Sequence, residues 1–462
     1  MTIVALFAAS SLFAMTPQGG DEGAPPAASN QDKAPLLDAK AQESLRTKLQ
    51  KMMAAEAAYD AAEGKAREKA NRPFESAKQA FRDEWESRSK KANLLASMPD
   101  LLAIYENCFA VGKPPHNPGT VRAGDKVELD ESMKFDFSYF LPKKYKPKVP
   151  MRTVLMLPGS KGNDGEWLDG RRYFESAWDK TAALDSTIFH IPTLPEGLSM
   201  DPAPDYSRDG QEAMEGRRIA SVFATFGRTL TDVNVDRPRV FVDCGRGNCA
   251  FGLRFVSIFP DRFAGIILRS PTAVEDIRLG SLYGKPVLMI KTAENGAVVE
   301  TLKKQLEAVT PESVTVIDAT DEYPFKGSAD AIEQWMDKQK RNIAPTKVII
   351  EPNHNRFNKA YWVLINRMNP IHTSAAENMP RIEVEADRAT NRIVVKAQGI
   401  ESFTLLLNDL LVDLDKEFTV VINDKATTET KTRNEMRMYE GMINRNDWEF
   451  LFPVEFTSTV SK

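Results

Sequence analysis

Residues 239–271 read RVFVDCGRGNCAFGLRFVSIFPDRFAGIILRSP. The run predicts a buried strand over Arg239 to Val242, a helix over Cys249 to Phe259 and a second strand over Phe263 to Leu268. Between the first strand and the helix stand Cys244, Gly245, Arg246, Gly247 and Asn248, where the two glycines permit a sharp turn. A strand that ends in a tight turn at a helix start is a place where backbone N–H groups gather and chemistry is commonly sited.

Working outward, the same alternation recurs. Thr153 to Leu157 is a continuous apolar strand running into the loop PGSKG, and the stretch from Phe135 reads as an alternating strand followed by a Pro/Lys-rich turn. Ser186 to Ile191, Pro286 to Ile290 and Val314 to Asp318 have strand character, while Asp209 to Leu230 and Val298 to Ala308 have helical character. Strands interleaved with helices imply an α/β domain, residues 120–342, with a mostly parallel sheet covered on both faces.

Two stretches, YFLPKKYKPKVPMRTVLMLPGSKGN and the quoted 239–271 segment, resemble the α/β-hydrolase superfamily. Within it the likeness is to secreted bacterial esterases of the polyhydroxybutyrate depolymerase, feruloyl esterase and prolyl-oligopeptidase types. The resemblance covers about Phe135 to Trp335 and implies a Gly-x-Ser-x-Gly-Gly elbow carrying a nucleophilic serine. Aligning Val240 to Asp243 with the family strand puts Cys244 at the first glycine, Arg246 at the nucleophile and Cys249 at the last glycine. A guanidinium keeps its proton and cannot accept an acyl group.

The resemblance also implies an aspartate after the strand Pro286 to Ile290 and a histidine before the helix that holds Trp335. Asn295 occupies the first position, and DATDEYPFKGSADAIEQW holds no histidine. Three losses at the spacings the fold requires imply a degenerate catalytic triad. Two residues remain as substitute nucleophiles. A register shifted by three makes Cys249 the elbow residue, at the cost of placing Phe251 where glycine is needed, and Ser160 lies in the loop that resembles the oxyanion loop. The backbone N–H groups of Ser160 and Gly247 would be the surviving part of an oxyanion hole, and Gly159 stands beside them as a candidate binding residue.

His116, His190, His354 and His372 have no Ser/Cys and carboxylate partners at suggestive spacing, so surface or structural roles are expected. Cys and His do not recur at metal-ligand spacing, and no metal or cofactor is expected. Cys244 and Cys249 lie within one tight turn, where disulfide geometry is unfavourable. Arg246 beside a helix N-terminus is repelled by the helix dipole, which calls for an anionic neighbour. Glu294, Asp318, Asp321 and Glu322 are the candidate carboxylates, and a small anionic ligand is the other solution.

The flanks read differently. Residues 1–14 hold an uncharged apolar run resembling a signal peptide, and residues 15–30 read as a flexible linker. Residues 31–112 predict a helical arm: one helix from Gln31 to Arg72 and a second beginning at Pro73, with Phe74, Ala77, Phe81 and Trp85 on one stripe. That stripe can pack on the chain's own elements or support self-association. Residues 345–462 alternate strongly, with seven candidate strands: Lys347 to Glu351, Ala360 to Asn366, Arg381 to Ala386, Arg392 to Ala397, Phe403 to Leu407, Glu417 to Asn423 and Trp448 to Phe456. They predict an antiparallel β-sandwich.

With 61 Lys+Arg against 65 Asp+Glu among 462 residues, the net charge of −4 gives no bulk field for nucleic acid. The expectation is an exported α/β-hydrolase-fold protein (periplasmic, cell-envelope or extracellular). It would be catalytically inactive and act in binding or scaffolding, with a small anionic ligand or a protein as partner. The alternatives are an active carboxylic-ester hydrolase using Cys249 or Ser160, and a structural envelope protein associating through the N-terminal helices. No transmembrane helix is expected.

Overall fold

The computed structural model describes residues 34–112, 117–130, 133–157, 170–193, 209–272, 277–371 and 374–460. The signal-peptide and linker segments, Gly159, Ser160, His116, His372 and the loop at 194–208 lie outside the described residues. Helices α1 (Ala39–Asp60), α2 (Gly64–Ser89) and α3 (Met98–Tyr105) come first. Strands β1 (Val121–Asp130), β2 (Met133–Phe140), β3 (Met151–Leu157), β4 (Thr187–Pro192), β5 (Val235–Gly245), β6 (Gly265–Arg269), β7 (Val287–Lys291) and β8 (Val314–Asp318) follow. Interleaved with them are α4 (Gly170–Trp178), α5 (Asp209–Asp232), α6 (Asn248–Ile258), α7 (Gly296–Glu307) and α8 (Ala329–Asp337).

The strands form one sheet in the order β1-β2-β4-β3-β5-β6-β7-β8. β2 runs antiparallel to β1 and β4, and the other pairs are parallel. This is the strand order of the α/β-hydrolase fold, with the reversed strand second. Alternate side chains along β3 explain why the strand carries no charge past Arg152. Leu155 and Leu157 enter the core beneath α5, α6 and α7, and Val154 and Met156 enter the core beneath α4 and α8.

Every residue of α6 is buried, because the sheet covers one side and the C-terminal part covers the other. Asn353 Nδ2 donates to Ser257 Oγ at 2.8 Å across that second contact. Gly252 is required on the sheet side, since a Cβ there would lie 2.6 Å from Cys244 Sγ.

The C-terminal part consists of two sheets packed over one apolar core. Its strands are β9 (Lys347–Ile350), β10 (Lys359–Ala360), β11 (Val363–Met368), β12 (Arg381–Asp387), β13 (Arg392–Gln398), β14 (Ile400–Leu407), β15 (Phe418–Ile422), β16 (Lys425–Glu429) and β17 (Val454–Thr459). Pairing is antiparallel except between β13 and β15, which run parallel. The segment expected as one strand from Ala360 splits at Tyr361, whose φ is 52°. The segment expected as a strand from Trp448 is extended and paired only from Val454. Between β16 and β17 lies a helix absent from the sequence reading, α9 (Glu435–Arg445).

The arm's helix boundary also differs from expectation. The break falls between α1 and α2 at Ala61–Glu63, with Gly64 at φ 50°, and Pro73 sits inside α2. Proline there removes one N–H and crowds the Lys69 carbonyl, but both residues are exposed, so water can serve that carbonyl. The stripe of Phe81 and Trp85 is buried with Leu45, Leu49 and Met52 of α1 and Met438 and Met442 of α9. The arm therefore covers its apolar face with the chain's own last helix.

Among the described residues no helix is long and apolar enough to cross a membrane.

Candidate functional site

β5 ends at Gly245, α6 starts at Asn248, and Arg246 between them has φ 47°. The left-handed backbone is unusual for a long side chain and is fixed by two main-chain bonds. Arg246 N donates to Arg269 O at 2.8 Å, and its carbonyl accepts from Cys249 N at 3.0 Å. Gly245 is glycine for a steric reason: a Cβ there would stand 1.9 Å from Tyr323 Oη and 3.2 Å from Tyr173 Oη.

The Arg246 guanidinium lies over the Tyr323 ring, 4.3 Å from its centroid. Tyr323 belongs to the loop between β8 and α8, where the family resemblance called for a histidine. Its hydroxyl meets that of Tyr173 on α4, and burial raises both phenols above their ordinary range. Tyr173 Oη donates to Asp243 Oδ1 at 3.3 Å, and Trp178 Nε1 donates to Oδ2 at 3.1 Å. Arg269 Nε reaches the same carboxylate at 2.9 and 3.1 Å, and its Nη1 donates to Pro324 O at 2.6 Å.

Asp243 and Arg269 are both fully buried, and each is the last inward-pointing charge on adjacent parallel strands. Burial opposes the charge of Arg269, but Asp243 outweighs it and holds the guanidinium above its ordinary range. A buried ion pair is tolerable only when its remaining polar atoms find partners. Here the two aromatic donors complete the carboxylate and a carbonyl takes Nη1, whereas Arg269 Nη2 is buried without a hydrogen-bond partner among the described residues, its guanidinium lying 4.9 Å from the Trp178 ring centroid. The stack from Asp243 through Tyr173 and Tyr323 to Arg246 thus props the turn from beneath.

The other sequence candidates are placed as follows. Asn295 is buried before α7. Its Oδ1 accepts from Thr292 N at 2.7 Å, and its Nδ2 donates to Ser270 Oγ at 3.3 Å and Ile290 O at 3.4 Å, so the amide closes the loop after β7. Glu294 and Glu322 are exposed. Asp318 lies 3.3 Å from Lys291, and Asp321 accepts from Gly327 N at 2.8 Å. Gly247 is half-buried in the turn. Cys249 is fully buried in the first turn of α6, its Sγ 3.4 Å from Cys244 O and 3.8 Å from Arg269 O.

Cys108, Cys244 and Cys249 are free buried thiols. Burial, reinforced by Cys249, raises Cys244 well above the usual thiol range. His190 is buried in β4 between Thr229 at 2.9 Å and Thr225 at 3.2 Å, and burial pushes its pKa down to about 3. His354 is buried, accepts from Arg356 N at 3.0 Å and packs on Phe357. Both histidines sit in the interior, away from the turn that holds Arg246. Among the described residues no three His, Cys, Asp or Glu side chains gather as a metal would require.

Sequence reasoning missed Asp243, Arg269, Tyr173, Trp178 and Tyr323. A signal was present for the first two, because a carboxylate in RVFVDCG and an arginine ending GIILR are expensive in buried strands unless they meet. The tyrosines and the tryptophan carried no such signal.

No protein-family model and no curated protein matches the chain. Among solved structures it is similar to a thermostable esterase, at 17% identity over 48% of this chain and 63% of that one, with a TM-score of 0.36. It spans less than two thirds of that esterase. A dienelactone hydrolase from Anabaena variabilis aligns at 15% identity over 49% of this chain and 100% of that one, with a TM-score of 0.35. A ferulic acid esterase from Anaeromyces mucronatus in complex with ferulic acid aligns at 11% identity over 49% and 94%, with a TM-score of 0.34. The sheet order and the strand–turn–helix at Arg246 define the class as an α/β-hydrolase fold.

Proposed function

We propose that this chain is a hydrolase-fold protein that binds or scaffolds without turning over esters, and that it is exported. The observation that carries the reading is Arg246 in the left-handed turn after β5, at φ 47°. An acyl acceptor there needs a hydroxyl or thiol beside a base. The side chain present is instead a cation laid on Tyr323. Asn295, committed to its loop, offers an amide where a carboxylate would orient a base. The uncharged apolar run at residues 2–14 supports export.

The ligand class follows from charge. Arg246 stands at the amino end of α6, where the helix dipole adds positive potential, and Gly247 places a further backbone N–H nearby. A small anion is the ligand such a site favours. Inorganic phosphate is expected to raise the melting temperature of the native chain, and Arg246→Ala to abolish that response.

Fluorophosphonate and iodoacetamide are expected to label no residue stoichiometrically, and a short-chain nitrophenyl ester to turn over no faster than in buffer. The rival reading, an active esterase, wins if one residue is labelled in full and turnover disappears with Cys249→Ser or Ser160→Ala. Equal phosphate responses from the native chain and Arg246→Ala remove the anion site.

A further inference from the structure

The turn KKYKPKVP, residues 143–150, joins β2 to β3 at the end of the sheet opposite Arg246. It is firmly held. Tyr145 is buried, and its hydroxyl accepts from Asn234 N at 2.8 Å. Pro147 O accepts from Asn234 Nδ2 at 3.0 Å, and Met151 N donates to Asn234 O at 3.0 Å. Tight turns close within it, from Tyr145 N to Pro142 O and from Val149 N to Lys146 O, each at 2.9 Å. Pro142, Pro147 and Pro150 restrict the backbone further.

Out of this fixed frame project Lys143, Lys144, Lys146 and Lys148, all exposed. None of the four comes within ion-pair distance of a carboxylate among the described residues. Other exposed lysines, among them Lys40, Lys51, Lys65 and Lys69, are likewise without an ion pair among the described residues, so what sets this turn apart is that its four lysines stand within six residues on an anchored frame. Val149, in the same turn, is 47% exposed, and only Leu36 and Met436 share that exposure among the large hydrophobic side chains described. An ordinary solvated surface loop has no need of an anchored frame, four unneutralised cations and an outward valine together.

We propose that this turn is a docking surface for an anionic phospholipid bilayer, with the four lysines on headgroup phosphates and Val149 entering the interface between them. The apolar side chain favours a bilayer over a soluble polyanion, which would contact only the ammonium groups. The frame lies at the amino end of the parallel strands, about 20 Å along β3 from the carboxyl end. Docking there turns the Arg246 face away from the membrane. The proposal does not depend on what binds at Arg246.

The test is sedimentation of the full chain with vesicles of phosphatidylglycerol and phosphatidylcholine, and with vesicles of phosphatidylcholine alone. Binding is expected to the mixed vesicles and to fall steeply with added salt. Each lysine near an anionic leaflet is worth about fivefold in partitioning, so Lys→Gln at 143, 144, 146 and 148 together lowers binding at least about tenfold. Lys→Gln at the exposed Lys40, Lys51, Lys65 and Lys69 of the helical arm makes the same change in net charge and leaves binding within about twofold. In Val149→Trp the indole emission shifts to the blue on adding mixed vesicles. Equal losses in the two quadruple variants, or equal binding to both vesicle types, overturn the proposal. So does an emission shift with soluble polyphosphate and none with vesicles.

Discussion

Two buried ion clusters hold this fold, one at each end of the parallel sheet. Beneath Arg246, Asp243 meets Arg269 in a pair balanced in charge, with Tyr173 and Trp178 donating to the carboxylate and Pro324 O taking one guanidinium N–H. At the other end the charges do not balance. Arg341 binds Asp447 at 2.6 Å and Glu449 at 2.5 Å, Arg445 pairs with Asp261, and Arg237, Arg262 and Lys285 are buried nearby. The surplus is met by carbonyls. Arg237 Nε donates to Asn446 O at 2.7 Å, Arg262 donates to Arg445 O, and Lys285 Nζ donates to Phe263 O at 2.5 Å.

Two of those carbonyls belong to the carboxyl end of α9, where the helix dipole is negative. The first cluster therefore braces one turn within the hydrolase-like domain, whereas the second bolts the C-terminal part onto its floor. The cost of surplus charge is visible in the second cluster. Burial pushes Arg237, Arg262 and Arg445 down to about 10 and Lys285 to about 7. Asp447, opposed by burial but surrounded by Arg341, Arg262 and Arg237, is lowered to about 2.

The comparison breaks most sharply at Asp447. Asp447→Asn strips the main counter-ion from several buried arginines and is expected to cost about 3–5 kcal/mol in urea unfolding. Asp243→Asn at the other end costs less, and adding Arg269→Met recovers part of that loss, because the orphaned cation is then gone. A loss below about 1 kcal/mol for Asp447→Asn shows that the bolt contributes little.

Lys285 sharpens the contrast through pH. Its folded pKa is depressed to about 7 from 10.5, so between those values the unfolded chain binds more protons and stability rises with pH. Lys285→Met raises stability at about pH 7 by about 1–3 kcal/mol and flattens the rise towards about pH 9. Urea midpoints at the two pH values check this, and an unchanged slope in the variant assigns the rise to another group.

Arg246 should show the smallest effect. Arg246→Gly relieves the left-handed backbone while losing a cation–π contact, each about 0.5–1 kcal/mol, so its melting point stays near that of the native chain. Arg246→Val, β-branched at the same φ, loses about 1–2 kcal/mol. Equal behaviour of the two variants means that the turn relaxes out of the left-handed region.

Much of this arrangement was legible locally. The strand over residues 239–242 falls within β5, while the helix over Cys249 to Phe259 and the strand over Phe263 to Leu268 overlap α6 and β6 to within one or two residues, because β-branched runs, helical apolar spacing and paired glycines act over a few residues. Placing Arg246 at the turn followed from the same short-range pattern. The helix over 435–445 and the uninterrupted run through Pro73 were not legible. α9 holds only Met438 and Met442 fully buried, and it is stabilised by α1 and α2, more than three hundred residues earlier in the chain.

What the sequence determined by itself, then, was the alternation of elements, the parallel sheet and the cation at the turn after its central strand. Only the tertiary structure decided that Asp243 meets Arg269, that Tyr323 arrives under Arg246 from a loop beyond β8, and that the last helix closes the arm and the floor. Backbone propensity and periodicity are properties of neighbouring residues. The pairing of buried charges depends on which distant segments share a dry interior, and there an unpaired charge costs enough to select one arrangement.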